Sequence, residues 1–137
     1  NGIQAIDLVG RKMSDGGEDA IAMIDEICEG ADAAKGALPD LARDVYEAAE
    51  TLRESVEWLV AREMDDRLAG AVPFLMGFAR VLGGHYHLSA ARHGDDGHAR
   101  LARFYITRLL PEHAAHLAEA RAGAADLMTP TLDDLGA

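Results

Sequence analysis

The chain has 137 residues, enough for one domain with a sizeable hydrophobic core. Apolar residues make up 49%, and acidic residues outnumber basic ones 24 to 13 for a net charge of −11, which argues against nucleic acid or an anionic membrane as the main partner. The single cysteine, Cys28, excludes an internal disulfide framework and fits a reducing compartment such as the cytoplasm.

No signal-peptide pattern is present, and an amphipathic segment begins at once behind Asn1; the expectation is a piece of a longer protein. Eleven arginines against two lysines, with abundant alanine, point to a GC-rich bacterial genome.

Residues 1–13 read as a short helix, with Ile3, Ile6, Val9 or Gly10, and Met13 recurring at three- and four-residue steps. Asn1 suits an N-cap, and Arg11-Lys12 suit the negative end of the dipole. Ser14-Asp15-Gly16-Gly17 then makes a turn. A second helix covers about 18–34, capped by Gly17 or Asp15, with Ala20, Ile24, Ile27, Cys28 and Ala31 on one stripe. Cys28 reads as a packing residue, because no cationic neighbour or helix start is evident to activate a thiol.

Lys35-Gly36-Ala37 breaks the pattern, and Pro39 with Asp40 suits a new first turn. The third helix runs to about Glu63 on the seam Leu41, Val45, Ala48 or Ala49, Leu52, Val56 and Leu59. Trp58 falls off that seam, among Asp44, Glu47, Glu54 and Arg62. It reads either as a ring lying over its own helix or as an anchor for a neighbouring domain or subunit.

The longest apolar run is Leu68 to Leu88, LAGAVPFLMGFARVLGGHYHL. At about 100° per residue, Leu68, Ala71, Val72, Leu75, Ala79, Leu82 and Tyr86 share one face. Phe74, Phe78, Val81 and Leu88 cover much of the other, and Arg80 with His87 leaves a narrow polar stripe. A helix apolar nearly all round is buried among other helices or spans a membrane. Arg80 in mid-run and the flanking aspartates favour the soluble reading. The helix is expected to start near Asp66 and kink at Pro73, with a break between Gly70 and Pro73 as the alternative. Gly77, Gly83 and Gly84 are expected to let another backbone come close. A fifth helix spans about 97–128, kinked at Pro111, with Ala102, Ile106, Leu109, His113, Leu117, Ala120, Ala124 and Leu127 on one face. Thr129-Pro130 stops it, and the last residues fray.

Six histidines invite a metal hypothesis. His113 and His116 are one turn apart, but only two ligands are visible, and a hydrogen-bonded packing histidine is the better reading of His113. His85 and His87 point to different sides of a helix. No serine elbow, phosphate loop or CxxC is present, and Gly83-Gly84 does not fit a dinucleotide fingerprint.

The opening NGIQAIDLVGRKM with the following DGG resembles the end of the catalytic region of an acyl-CoA dehydrogenase. In one bacterial branch of that family Tyr-Glu-Gly-Thr leads directly into twelve residues of this pattern. Ala71-Val-Pro-Phe-Leu, Val81-Leu-Gly-Gly, Ala102-Arg-Phe-Tyr, Leu110-Pro-Glu-His and Ala122-Gly-Ala-Ala-Asp-Leu resemble the accessory C-terminal domain of the same branch. The resemblance implies a parent that binds FAD and oxidises acyl-CoA thioesters. There a glutamate takes the α-proton, the flavin takes hydride, and electrons pass to an electron-transfer flavoprotein. The matching glutamate would stand just before Asn1, so no catalytic residue is expected within these residues. The resemblance places Asn1, Gly2 and Gln4 near the flavin of the parent. Relatives often carry Gln or Glu where Gly2 stands, which leaves backbone contact there.

The expected fold is all-α: an up-down four-helix bundle with an additional short N-terminal helix. Residues 1–13 would be the tail of the catalytic helical domain and 14–137 the accessory bundle. The expected role is packing against the catalytic body or in a homo-oligomer, with no cofactor or metal in the chain itself. A free-standing helical interaction module and a small metal-binding bundle are the alternatives.

Overall fold

A computed structural model describes residues 2–11, 13 and 15–136. Among these the chain is all-helical. The helices are α1 (Gly2–Gly10), α2 (Glu18–Ala34), α3 (Pro39–Val60), α4 (Met64–Ala69), α5 (Ala71–His93), α6 (Asp96–Arg108), α7 (Glu112–Ala120) and α8 (Ala125–Met128), followed by a 3-10 turn at Asp133–Leu135. The capping role read for Asn1, and the roles read for Lys12 and Ser14, lie outside the described residues.

The starts of α2 and α3 follow the local chemistry. Gly17 takes the N-cap position of α2 in the left-handed region, φ 78°, where a side chain would be strained. The Asp15 carboxylate accepts the backbone N–H groups of Gly17 at 2.9 Å and Asp19 at 3.3 Å, so it satisfies donors left over at the helix start. Pro39 opens α3, where its missing N–H costs nothing. Every residue of the expected α3 seam is buried, from Leu41 to Leu59.

Two expected rods are divided. The run around Leu68 breaks at Gly70 into α4 and α5, which is the alternative of the two readings. Pro73 then lies in the first turn of α5, ahead of the first helical bond from Phe74 N–H to the Gly70 carbonyl (2.9 Å), and so removes no bond. Gly70 is required for a second reason: a Cβ there would run into the carbonyl of Ala120 at the end of α7. The expected helix over 97–128 is likewise three helices. Pro111 separates α6 from α7, and Gly123, in the left-handed region at φ 80°, separates α7 from α8. Ala102, Ile106, Leu117 and Ala120 are buried as expected, but Leu110 is buried in place of Leu109, and Leu127 is exposed.

Helix α5 packs against α1, α2, α3, α6 and α7. Its buried side is Phe74, Gly77, Val81, Gly84 and Leu88, at three- and four-residue steps. This corrects the reading of the long apolar run: the face through Val72 and Tyr86 is turned outward. The glycines also work differently from expectation, since they admit side chains and not a backbone. A Cβ at Gly77 would come within 2.6 Å of Leu117, one at Gly84 would meet Leu110 at 3.2 Å, and Gly83 lies beneath the Tyr105 hydroxyl. That hydroxyl donates to the Arg80 carbonyl at 3.1 Å. The two polar residues of the stripe are engaged: Arg80 pairs with Glu112 of α7 at 2.8 Å, and the His87 ring stacks on Tyr105 at 4.6 Å.

Short α4 ties the ends of other helices. Arg67 donates to the carbonyls of Leu59 (2.9 Å), Val60 (2.7 Å) and Arg62 (3.1 Å) at the C-terminal end of α3. Asp66 Oδ1 accepts the backbone N–H of Ala124 at 2.8 Å, just beyond α7. These bonds satisfy groups that a helix end leaves unpaired. Replacing Arg67 by Ala is expected to cost about 1.5–3 kcal/mol, the usual worth of hydrogen bonds to a charged group. Urea unfolding beside Arg92→Ala, an exposed control, measures the difference.

Candidate functional site

The exposed side of α5 is the first candidate. Val72, Met76, Ala79 and Tyr86 follow one another at helical steps, and all are exposed: 48%, 44% and 58% for Val72, Met76 and Tyr86. No charged side chain belongs to this stripe. A shallow groove of about 230 Å³, lined by Tyr86, His87, Ala90, His98 and Leu101, carries the apolar surface across to α6. There Leu101 is 58% and Phe104 60% exposed. Exposed apolar side chains grouped in this way on a strongly charged protein make this face a candidate contact surface. Leu101 and Phe104 do not stand out in the sequence. Their three-residue spacing, off the Ala102–Ile106 face, is the signal that could have found them.

The second candidate is the cluster around Cys28. Cys28 is 9% exposed, and its thiol lies 3.6 Å from Glu50 Oε1 and 3.9 Å from Arg53 Nη2. Sequence reading found no cation near it; the fold brings Arg53 across from α3. Arg53 is already committed, however, to Asp25 at 2.8 Å and Glu50 at 3.1 Å. Burial pushes the Cys28 thiol above the ordinary cysteine range; Arg53 pulls it down, and Glu50 pushes it further up. The packing reading of Cys28 therefore stands for a corrected reason: the cation is present, but burial and Glu50 outweigh it.

The remaining singled-out residues have local partners. His113 Nδ1 donates to the Leu110 carbonyl at 2.6 Å, across the break at Pro111. His116 lies over Gly77 through its Cβ. Among the described residues no group of three or more His, Cys, Asp or Glu side chains is placed to hold a metal ion. The Trp58 ring lies 4.6 Å from the Arg62 guanidinium and packs on the core edge, the first of its two readings. Among the described residues no helix is long and apolar enough to cross a membrane.

Of the residues placed near a flavin by resemblance, Asn1 lies outside the described residues; Gly2 and Gln4 are exposed on the first turn of α1. An exposed helical turn supplies one edge of a binding site and no cradle. The grooves lined by these helices lie elsewhere: one of about 350 Å³ between α2 and α3 at Ala31, Ala42 and Tyr46, one between α3 and the Pro111 corner, and the groove beside Tyr86. No step of flavin chemistry is assigned to residues of this chain.

This is an all-α domain organised on one central helix, with an uncharged outer face. Residues 20–130 match the family described as acetyl-CoA dehydrogenase C-terminal like, and the chain belongs to that family. Neither the curated proteins nor the solved structures contain a match. Thiol titration tests the Cys28 reading. The thiol is expected to react more slowly than a free cysteine at pH 8, and its rate should rise only at more alkaline pH, because the thiolate is the reacting form. Arg53→Ala should slow it further at pH 8.

Proposed function

We propose that the chain is the accessory C-terminal helical domain of an FAD-dependent acyl-CoA dehydrogenase, acting through contact and not through chemistry of its own. Membership of the C-terminal-like family supports the domain assignment. The uncharged outer face of α5 with Leu101 and Phe104 supports a contact role, and it is the single observation that carries this reading. Burying such a patch is worth roughly 25 cal/mol per Å² of apolar surface, a term that association can draw on. The proposed topology is the up-down four-helix bundle with a short leading helix, α6 and α7 together forming the fourth rod.

The parent would carry out α,β-dehydrogenation of acyl-CoA thioesters in a bacterial cytoplasm, with electrons leaving to an electron-transfer flavoprotein. FAD, when bound in the parent, supplies the hydride acceptor. Residues 1–13 would close the catalytic helical domain, with Asn1, Gly2 and Gln4 toward the flavin. Residues 14–137 would pack on that body or on a second subunit, with neither nucleic acid nor membrane as partner.

Two measurements test this. The isolated chain should show no flavin absorbance and no acyl-CoA oxidation, while the full-length parent shows both; activity in the isolated chain overturns the accessory reading. Met76→Glu with Phe104→Glu should leave the far-UV circular dichroism of the chain unchanged, since both side chains are exposed. In the full-length parent the same pair should shift the sedimentation profile toward smaller species or expose the domain to proteolysis. An unaltered profile and unaltered protease resistance would remove the α5–α6 face as the contact.

A further inference from the structure

The seam between α2 and α5 holds a buried polar atom that nothing satisfies. His85 Nδ1 is shielded from solvent and has no hydrogen-bond partner. Buried polar groups without partners are few in native proteins, and each calls for a reason. The ring is seated edge-on against Gly30 of α2: a Cβ at Gly30 would stand 2.9 Å from His85 Cε1 and 3.0 Å from Nδ1. Only glycine leaves room for the ring in this position. A neutral imidazole with its proton on Nε2 buries no more than a lone pair at Nδ1. Adding a second proton must place it on Nδ1, where a charged N–H would face Gly30 with no acceptor, and burying a charge in that way is costly.

We propose that His85 and Gly30 form a proton-gated latch: the neutral ring seats against Gly30 and holds α2 to α5, and protonation unseats it toward the Glu26 carboxylate and loosens α2.

Glu26 stands one turn before Gly30 on α2, exposed at the rim, and is the carboxylate that acts on His85. On α5 itself the neighbouring ring is Tyr86, at 5.3 Å. On the other packed helices several titratable groups are engaged elsewhere. On α3, Glu50 and Arg53 engage Cys28 and Asp25, on the flank of α2 away from Gly30. On α1, Asp7 pairs with Arg11; on α7, Glu112 pairs with Arg80; on α6, Tyr105 lies over His87. Burial lowers the pKa of His85 below the ordinary histidine value, with Glu26 opposing it. A depressed histidine contributes stability that is whole above its unfolded pKa, near 6.5, and is lost as pH falls through that value toward the lowered one. The latch is therefore closed at neutral pH and opens on acidification.

Amide hydrogen exchange at pH 7.5 and 5.5, corrected for intrinsic rates, tests it in the wild-type chain, His85→Phe, His85→Gln and Gly30→Ala. Protection of α2 amides in the wild type should fall severalfold between the two pH values, by at most about tenfold per unit for one proton, while amides of α7 change less. The two His85 variants should lose that extra dependence. Gly30→Ala should lose it as well, even though alanine raises helix propensity. Glu26→Gln should move the loss to lower pH. The latch is overturned if α2 protection is the same at both pH values, if it falls no more than that of α7, or if the His85 variants keep the wild-type dependence. His85→Gln stands in should the Phe variant not fold.

Discussion

The structure depends on how closely other helices approach the inner side of α5. Phe74, Val81 and Leu88 supply bulk there, while Gly77 and Gly84 leave hollows that Leu117 and Leu110 enter. Interdigitation of this kind brings packing to interior density, and each hollow is matched to one side chain. The arrangement has a local cost, because glycine lowers helix propensity by about 1 kcal/mol at each position. Tertiary contact offsets it. The same contact explains why the chain after α5 is broken into short helices. Leu110 and Leu117 reach α5 from either side of the Pro111 corner, a geometry that one straight helix would not supply.

Short α4 is the second organising element. It has no buried residue of its own, yet Arg67 caps the end of α3 and Asp66 holds the chain just past α7. Two charged side chains thus take the place of a core contact and bring the ends of three helices together. Gly70 completes the junction by letting Ala120 come close.

The titratable side chains that stand out among the described residues have structural settings. The Cys28 thiol is held back by burial, Asp66 bonds the backbone beyond α7, His87 stacks on Tyr105, His113 bonds the Leu110 carbonyl and His85 sits against Gly30. The unusual surface is the apolar one. A protein with net charge −11 that keeps charge away from one face of its central helix has a surface suited to contact. Family membership supports the domain assignment, and that surface is the observation on which the proposed contact role rests.

Helix identity and the inward seams of α2 and α3 were legible in the residues alone, because a 3.6-residue period with proline, glycine and aspartate at the boundaries is a local signal. Family membership was legible too, from ordered runs of residues. The orientation of α5 was not: with apolar residues on both sides, periodicity offers no way to choose the buried one. The choice rested on where glycine hollows meet Leu110 and Leu117, and those partners are distant in sequence. The approach of Arg53 to Cys28, the break at Gly70 and the unsatisfied nitrogen of His85 likewise exist only once separate helices are packed together. Local sequence determined which segments coil and where α2 and α3 begin; tertiary packing decided where the longer rods break and which sides face inward, because burial is a property of pairs of surfaces and not of either one.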